Sequence, residues 1–200
     1  MKPIENWENV KPIGGESIQL PAGGYVCKIV GAKTVTNRSG RDMLEIGVDI
    51  TTGEYSGFFR SKYNQQKDKS RWPNAATYRL NLPDKEKDSQ EDYNRKAGRL
   101  KKFIQDVEES NKPYVFYWDE KTLTGKFVGC LFGREEFETQ DGKRAWSTKV
   151  FYTTSLANIQ TNNFKVPEDR PLKEEVRYHE PVQTDFAPVP DMELDDSLPF

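Results

Sequence analysis

A mainly β fold, with one long helix between its third and fourth strands, is what the sequence predicts. Three observations carry that expectation. Several runs are rich in β-branched and aromatic residues, and one of them alternates cleanly. Ser89–Ser110 instead repeats its apolar residues at helical spacing. Glycine, proline, asparagine and aspartate punctuate the runs at short intervals.

Residues 1–23 are irregular, with Pro3, Pro12, Gly14, Gly15, Pro21 and Gly23, and Ile4 and Trp7 are expected to fold back on the body. Tyr25–Thr36 reads as a long first strand, and Asn37–Arg41 as a turn. In the second strand Leu44, Ile46, Val48 and Ile50 face one way, while Met43, Glu45, Gly47 and Asp49 face the other. Gly31 and Gly47 inside strands point to a bend or bulge. A turn at Thr51–Glu54 leads to a third strand, expected to begin at Tyr55–Arg60, so that three strands form a meander. Thr77–Leu82 reads either as a short extra strand or as a helical turn.

The helix has its own signals. Tyr93, Ala97, Leu100, Ile104 and Val107 fall on one stripe. Asp88 or Ser89 can cap it, Glu91 and Asp92 sit in its first turn, and Pro113 lies just beyond its end. The β pattern then returns with the apolar run Tyr114–Trp118, a strand from Lys126 to Thr139, an Asp141-Gly142 hairpin turn, and a strand over Ala145–Tyr152. Beyond Ser155 periodicity fades, and six of the twelve prolines follow residue 166, so about 160–200 is expected to be a mobile tail. Three strands, a helix and two more strands are the order of an OB-fold, a five-stranded Greek-key barrel.

The 200 residues suit one domain with extensions. The expected division is an irregular segment 1–23, an OB-fold body 24–158, a Pro-rich flexible linker 159–190 and an acidic tip 191–200. Charge is split along the chain. Residues 167–200 hold ten acids against three bases (Arg170, Lys173, Arg177), a charge of −7; the first 166 hold 27 bases and 22 acids, a charge of +5. Cys27 and Cys130 lie in apolar runs and read as buried, reduced thiols. The single histidine, His179, lies in the Pro-rich tail, so neither a zinc site nor a His-based nucleophile is expected. No phosphate-binding glycine loop is present, and Pro83-Asp84 with Asp119-Glu120-Lys121 matches a metal-dependent nuclease only loosely. No enzyme activity, cofactor or metal is expected. No stretch is long enough to span a membrane and no leader pattern is seen.

Single-stranded nucleic acid offers a phosphate chain and bare bases, which cations and aromatic faces hold together. Residues 55–79 supply both types. The candidate binding residues there are Tyr55, Phe59, Arg60, Lys62, Tyr63, Lys67, Lys69, Arg71, Trp72 and Arg79. Only one of Phe58 and Phe59 can be core if the stretch is a half-wet strand. The loops between strands one and two and between strands four and five form the binding rim of an OB-fold. They add Arg38 and Arg41, and Lys143, Arg144 and Trp146.

The chain stops on Asp191-Met192-Glu193-Leu194-Asp195-Asp196-Ser197-Leu198-Pro199-Phe200. Acids followed by an aliphatic-Pro-Phe end suit an apolar pocket with a basic rim on another protein. This end resembles the acidic tip of bacterial and phage single-stranded DNA-binding proteins. The resemblance implies an OB-fold body that coats single-stranded DNA in replication, repair and recombination. It also implies a tip that recruits replication and recombination proteins through Asp195, Asp196, Leu198, Pro199 and Phe200. It implies the cytoplasm of a bacterial host and allows a homo-oligomer. Ser197 departs from the family, where an acid is common, and the connection between strands three and four is longer than in a typical bacterial member. The competing expectation is an OB-fold interaction adaptor of a phage replication or recombination module that does not touch DNA.

Overall fold

The computed structural model describes residues 19–172. In chain order they form β1 (Gly23–Thr36), β2 (Asp42–Ile50), α1 (Phe58–Gln65), β3 (Thr77–Asn81), α2 (Gln90–Ser110), β4 (Phe127–Glu138), β5 (Arg144–Thr154) and α3 (Leu156–Gln160). The strands make one antiparallel sheet in the order β3-β2-β1-β4-β5. β1 serves two neighbours: Gly23–Lys28 pair with β4, and Cys27–Thr36 pair with β2. Its register shifts between Ile29 and Gly31, so that Gly31 faces Gly47, and a shift of this kind bends a strand. The sheet curls until edge strands β3 and β5 approach within 8 Å between Cα atoms.

The alternation read in β2 holds. Leu44, Ile46, Val48 and Ile50 are all buried, against Cys27 and Ile29 of β1, Leu80 of β3, Val128, Cys130 and Phe132 of β4 and Val150 of β5. Burial, and Cys130 beside it, push the Cys27 thiol well above its ordinary pKa, so it stays protonated. The helix also forms where expected. The Ser89 hydroxyl accepts the Asp92 N–H at 3.2 Å, with Glu91 and Asp92 in the first turn. Its face is rotated slightly, because Phe103, outside the stripe read in the sequence, is buried with Val107 while Leu100 and Ile104 are half-buried. Gly142, at φ +72°, turns the β4–β5 hairpin in the left-handed conformation that glycine accepts without strain.

Three expectations are corrected. Tyr55–Arg60 does not begin a strand. Asp49, itself buried, accepts the N–H groups of Phe59 and Arg60 at 3.1 and 3.4 Å, and these otherwise unpaired donors start α1 instead. The third strand is Thr77–Asn81, which pairs with β2 from Gly47↔Thr77 to Met43↔Asn81. The run Tyr114–Trp118 is not a strand either: Tyr117 and Trp118 are 80% and 82% exposed. The chain after Ser155 continues into α3, and Phe164, Pro167 and Arg170 then lie against β1, β4 and β5. Arg170 donates its N–H to the Arg134 carbonyl and accepts from Glu136 N–H, both at 2.9 Å, taking the β4 edge where β1 has ended. Low periodicity hid this because an irregular segment packs through single residues, not through a stripe. Of the expected irregular segment 1–23, residues 1–18 lie outside the described residues, as does the tail from 173 onward.

One buried carboxylate ties three elements together. Asp88, its side chain wholly out of solvent, bonds Lys96 of α2 at 2.6 Å, Arg41 of the β1–β2 turn, and the Asp84 N–H at 3.0 Å. The Lys96 ammonium, followed by the Asp84 N–H, holds its pKa down at about 2, below an unfolded value near 3.8. A depressed carboxylate stabilises the fold above its unfolded pKa and loses that contribution as pH falls through the folded one. Asp88→Asn is therefore expected to lower Tm at neutral pH and to flatten its fall between about pH 4 and pH 2. Thermal melts of both forms across that range measure the difference.

Candidate nucleic-acid interface

The outward side of β2 carries the first cluster of rings and cations. Gly47 lets Trp72 lie close: a Cβ there would stand 3.2 Å from the Trp72 ring. The indole N–H donates to the Val48 carbonyl at 3.0 Å, which fixes the ring against the strand. Tyr63 of α1 lies 5.2 Å from Trp72 between ring centroids, tilted by 35°, and its hydroxyl donates to the Lys69 carbonyl at 2.7 Å. The Arg60 guanidinium sits 6.0 Å from the Trp72 ring and 3.6 Å from Asp49. Lys67, Lys69 and Arg71 are exposed around this pair. Lys62 is exposed too, but its ammonium lies 4.5 Å from the Phe58 ring, and partial burial lowers its pKa.

Three residues expected to bind are engaged within the fold. Phe59 is 1% exposed and stacks on Phe132 at 5.6 Å with an interplanar angle of 15°. Its neighbour on the helix, Phe58, also packs inward, because a helix turns 100° per residue where a strand would have turned 180°. Tyr55 is half-buried, edge-on to Tyr25 and Phe58. Arg41 is committed to Asp88 and the Lys87 carbonyl, so it braces its turn. Arg38 on the same turn is exposed.

On the β4–β5 hairpin, Lys143 and Arg144 are exposed and Trp146 is 38% exposed. Arg134 lies 5.4 Å from the Trp146 ring and is itself held by both oxygens of Asp169, which raises its pKa. Arg79 on β3 bridges Glu45 at 2.8 Å and Asn74 at 2.6 Å.

A second feature was not legible in the sequence. Where β3 and β5 approach, α2 closes one side of a groove of about 590 Å³. Arg79, Arg95, Arg99, Lys102 and Arg170 line it with Tyr78 and Tyr152. Tyr152 is 50% exposed. The Arg170 guanidinium is 3.8 Å from the Phe151 ring and donates to the Tyr152 hydroxyl at 3.1 Å, so it is held against both side chains. Lys102 pairs with buried Asp106, which also accepts from Thr153 at 3.0 Å; burial raises the Asp106 pKa, and Lys102 opposes that rise. The signal that would have revealed Arg95, Arg99 and Lys102 is their position on α2 away from its apolar stripe, but that position alone also describes a solvated helix face.

Among the described residues no group of three or more His, Cys, Asp or Glu side chains is placed to hold a metal ion. Among them, too, no helix is long and apolar enough to cross a membrane. The tip residues Asp195, Asp196, Leu198, Pro199 and Phe200 lie outside the described residues. No protein-family model matches the chain, and no curated protein matches it.

Proposed function

We propose that this chain binds single-stranded DNA without strong sequence preference and performs no catalysis. In this reading the body is a Greek-key barrel of the OB type, and the acidic tip brings replication and recombination proteins to the coated strand. Support for the barrel comes from the strand order, from a first strand shared between β2 and β4, from α2 between β3 and β4, and from the approach of β3 to β5. The observation that carries the function is the Trp72 cluster: a half-buried ring pinned to β2, beside half-buried Tyr63 and exposed Arg60, within a field of exposed Lys67, Lys69 and Arg71. Such a surface stacks any base and neutralises any phosphate, so it selects unpaired polynucleotide over sequence.

The test is a titration with oligo-dT followed by tryptophan emission, at two salt concentrations and with or without Mg²⁺. The expected result is quenching, affinity that falls steeply with salt, and no cleavage. Absence of binding at low salt would reject the function, and Mg²⁺-dependent cleavage would replace it with a nuclease. Trp72→Ala is expected to weaken binding by about 1–3 kcal/mol, the worth of one stacked base. Circular dichroism checks that the variant is folded, since the ring also packs on Gly47.

One observation favours the adaptor reading. Val115, Tyr117 and Trp118 are exposed together beside Asp119 and Glu120, and Trp118 holds φ at +62°, an uncommon conformation for a bulky residue. Acids beside these rings repel phosphate and suit a protein surface. The adaptor predicts no oligo-dT binding at any salt, so the same titration separates the two.

A further inference from the structure

We propose that the groove between β3, α2 and β5 is a second binding segment for the same single strand, gripping its phosphate chain after the strand leaves Trp72. The inference rests on the proposed function and extends it to residues outside the 55–79 stretch.

Four observations bear on it. First, the groove gathers five cations from β3, α2 and the segment after β5, namely Arg79, Arg95, Arg99, Lys102 and Arg170. Arg79 pairs with Glu45, Arg95 with Asp92 and Lys102 with Asp106, but among the described residues no acid lies within 4.0 Å of Arg99. Second, rings stand beside these charges. Tyr152 is half-exposed, and the Arg170 guanidinium is fixed against Phe151 and Tyr152. Acidic side chains gain little from such faces, whereas bases stack on them, so the lining suits a polynucleotide better than an acidic peptide.

Third, Gly98 lines the groove from the middle of α2, where glycine weakens a helix relative to alanine. A Cβ at Gly98 would meet no protein atom within 4 Å, so packing does not call for its absence. The missing side chain keeps the groove open. Fourth, Arg79 connects the two regions. It lines the groove and bonds Asn74, two residues beyond Trp72. A strand stacked on Trp72 passes Arg79 to enter the groove.

The experiment uses the full chain and fluorescently labelled oligo-dT in two lengths, about six and about twenty nucleotides, bracketing the footprint of one small barrel. Two variants probe the groove, R95Q/R99Q and Gly98→Gln, with Trp72→Ala beside them. Arg95, Gly98 and Arg99 are exposed, and replacing Gly98 favours the helix, so unchanged or raised melting temperatures are expected. Binding of the long oligonucleotide should weaken roughly tenfold in R95Q/R99Q, and the slope of log affinity against log salt should shrink by about 1.4, or 0.7 for each phosphate that is no longer neutralised. Gly98→Gln should weaken the long oligonucleotide alone. Binding of the short one should fall only in Trp72→Ala.

If R95Q/R99Q leaves both the long-oligonucleotide affinity and its salt slope unchanged, the groove does not hold the strand. Trp72-dependent binding would then still leave the proposed function standing. If the unaltered chain binds neither length, the function fails and this inference with it. If poly-glutamate binds, and R95Q/R99Q abolishes that binding while oligonucleotide binding is untouched, the groove belongs to an acidic protein and the inference is overturned.

Discussion

Phe59→Ala is expected to destabilise the fold by about 3–5 kcal/mol, the usual cost of deleting a buried aromatic ring. The ring is 1% exposed, stacked on Phe132 and edge-on to Phe58 at 5.1 Å. Its removal leaves a cavity where α1 meets β4, and α1 is only eight residues long, too short to persist without that anchor. In urea the transition midpoint should fall with little change in slope, and Tm should drop by roughly 10 °C for a domain of this size. DNA affinity of the folded variant should change far less than in Trp72→Ala. A variant of undiminished stability that no longer bound DNA would place the ring at the surface and refute its burial. The two aromatics, thirteen positions apart in a stretch that reads uniformly as binding, are thus expected to differ: Phe59 serves the fold alone, while half-buried Trp72 both packs on the sheet and meets the ligand.

Ending the chain at residue 158, the boundary that composition suggests, is expected to damage the body. Ile159 and Phe164 lie over glycines of the sheet. A Cβ at Gly129 would come within 2.6 Å of Ile159, and one at Gly24 within 2.5 Å of Phe164. Farther along, a Cβ at Gly133 would come within 2.9 Å of Pro167. These approaches leave no space for water between segment and sheet. Losing the two half-buried side chains costs on the order of 3 kcal/mol, before the Arg170 backbone pairing to β4 is counted. A chain ending at residue 172 keeps all of these contacts. Urea melts of the two truncations should therefore differ by several kcal/mol. Equal midpoints would show that the segment after β5 contributes nothing.

Much of the architecture was legible because it is periodic. The β2 alternation, the Ser89 cap, the Asp141-Gly142 turn and the β1 bulge each follow from local rules, and each is found where it was read. The errors fall where composition does not decide the outcome. Tyr55–Arg60 has strand composition, yet a buried carboxylate from another strand, Asp49, accepts the N–H groups that start a helix. Tyr114–Trp118 is apolar and yet largely exposed. Arg41 looked like a free rim cation until Asp88, forty-seven residues away, was found beside it. For Arg41 and for Tyr55–Arg60 the deciding partner lies on another element of the fold.

The candidate interface divides in the same way. Composition marked residues 60–72 as a place where cations and rings alternate, and Arg60, Tyr63 and Trp72 do meet there. The groove is different, because its lining comes from residues 78 to 170 and no window of the chain contains it. By itself the sequence determined the mainly β class of the fold, four of its five strands, the long helix and the presence of a cationic, aromatic stretch, since these depend on spacing and on side-chain type. Only the tertiary structure decided which rings are buried, which cations are already paired, and that β3, α2 and β5 enclose a common groove. Burial and pairing are properties of neighbours in space, and folding sets those neighbours across separations that no local pattern records.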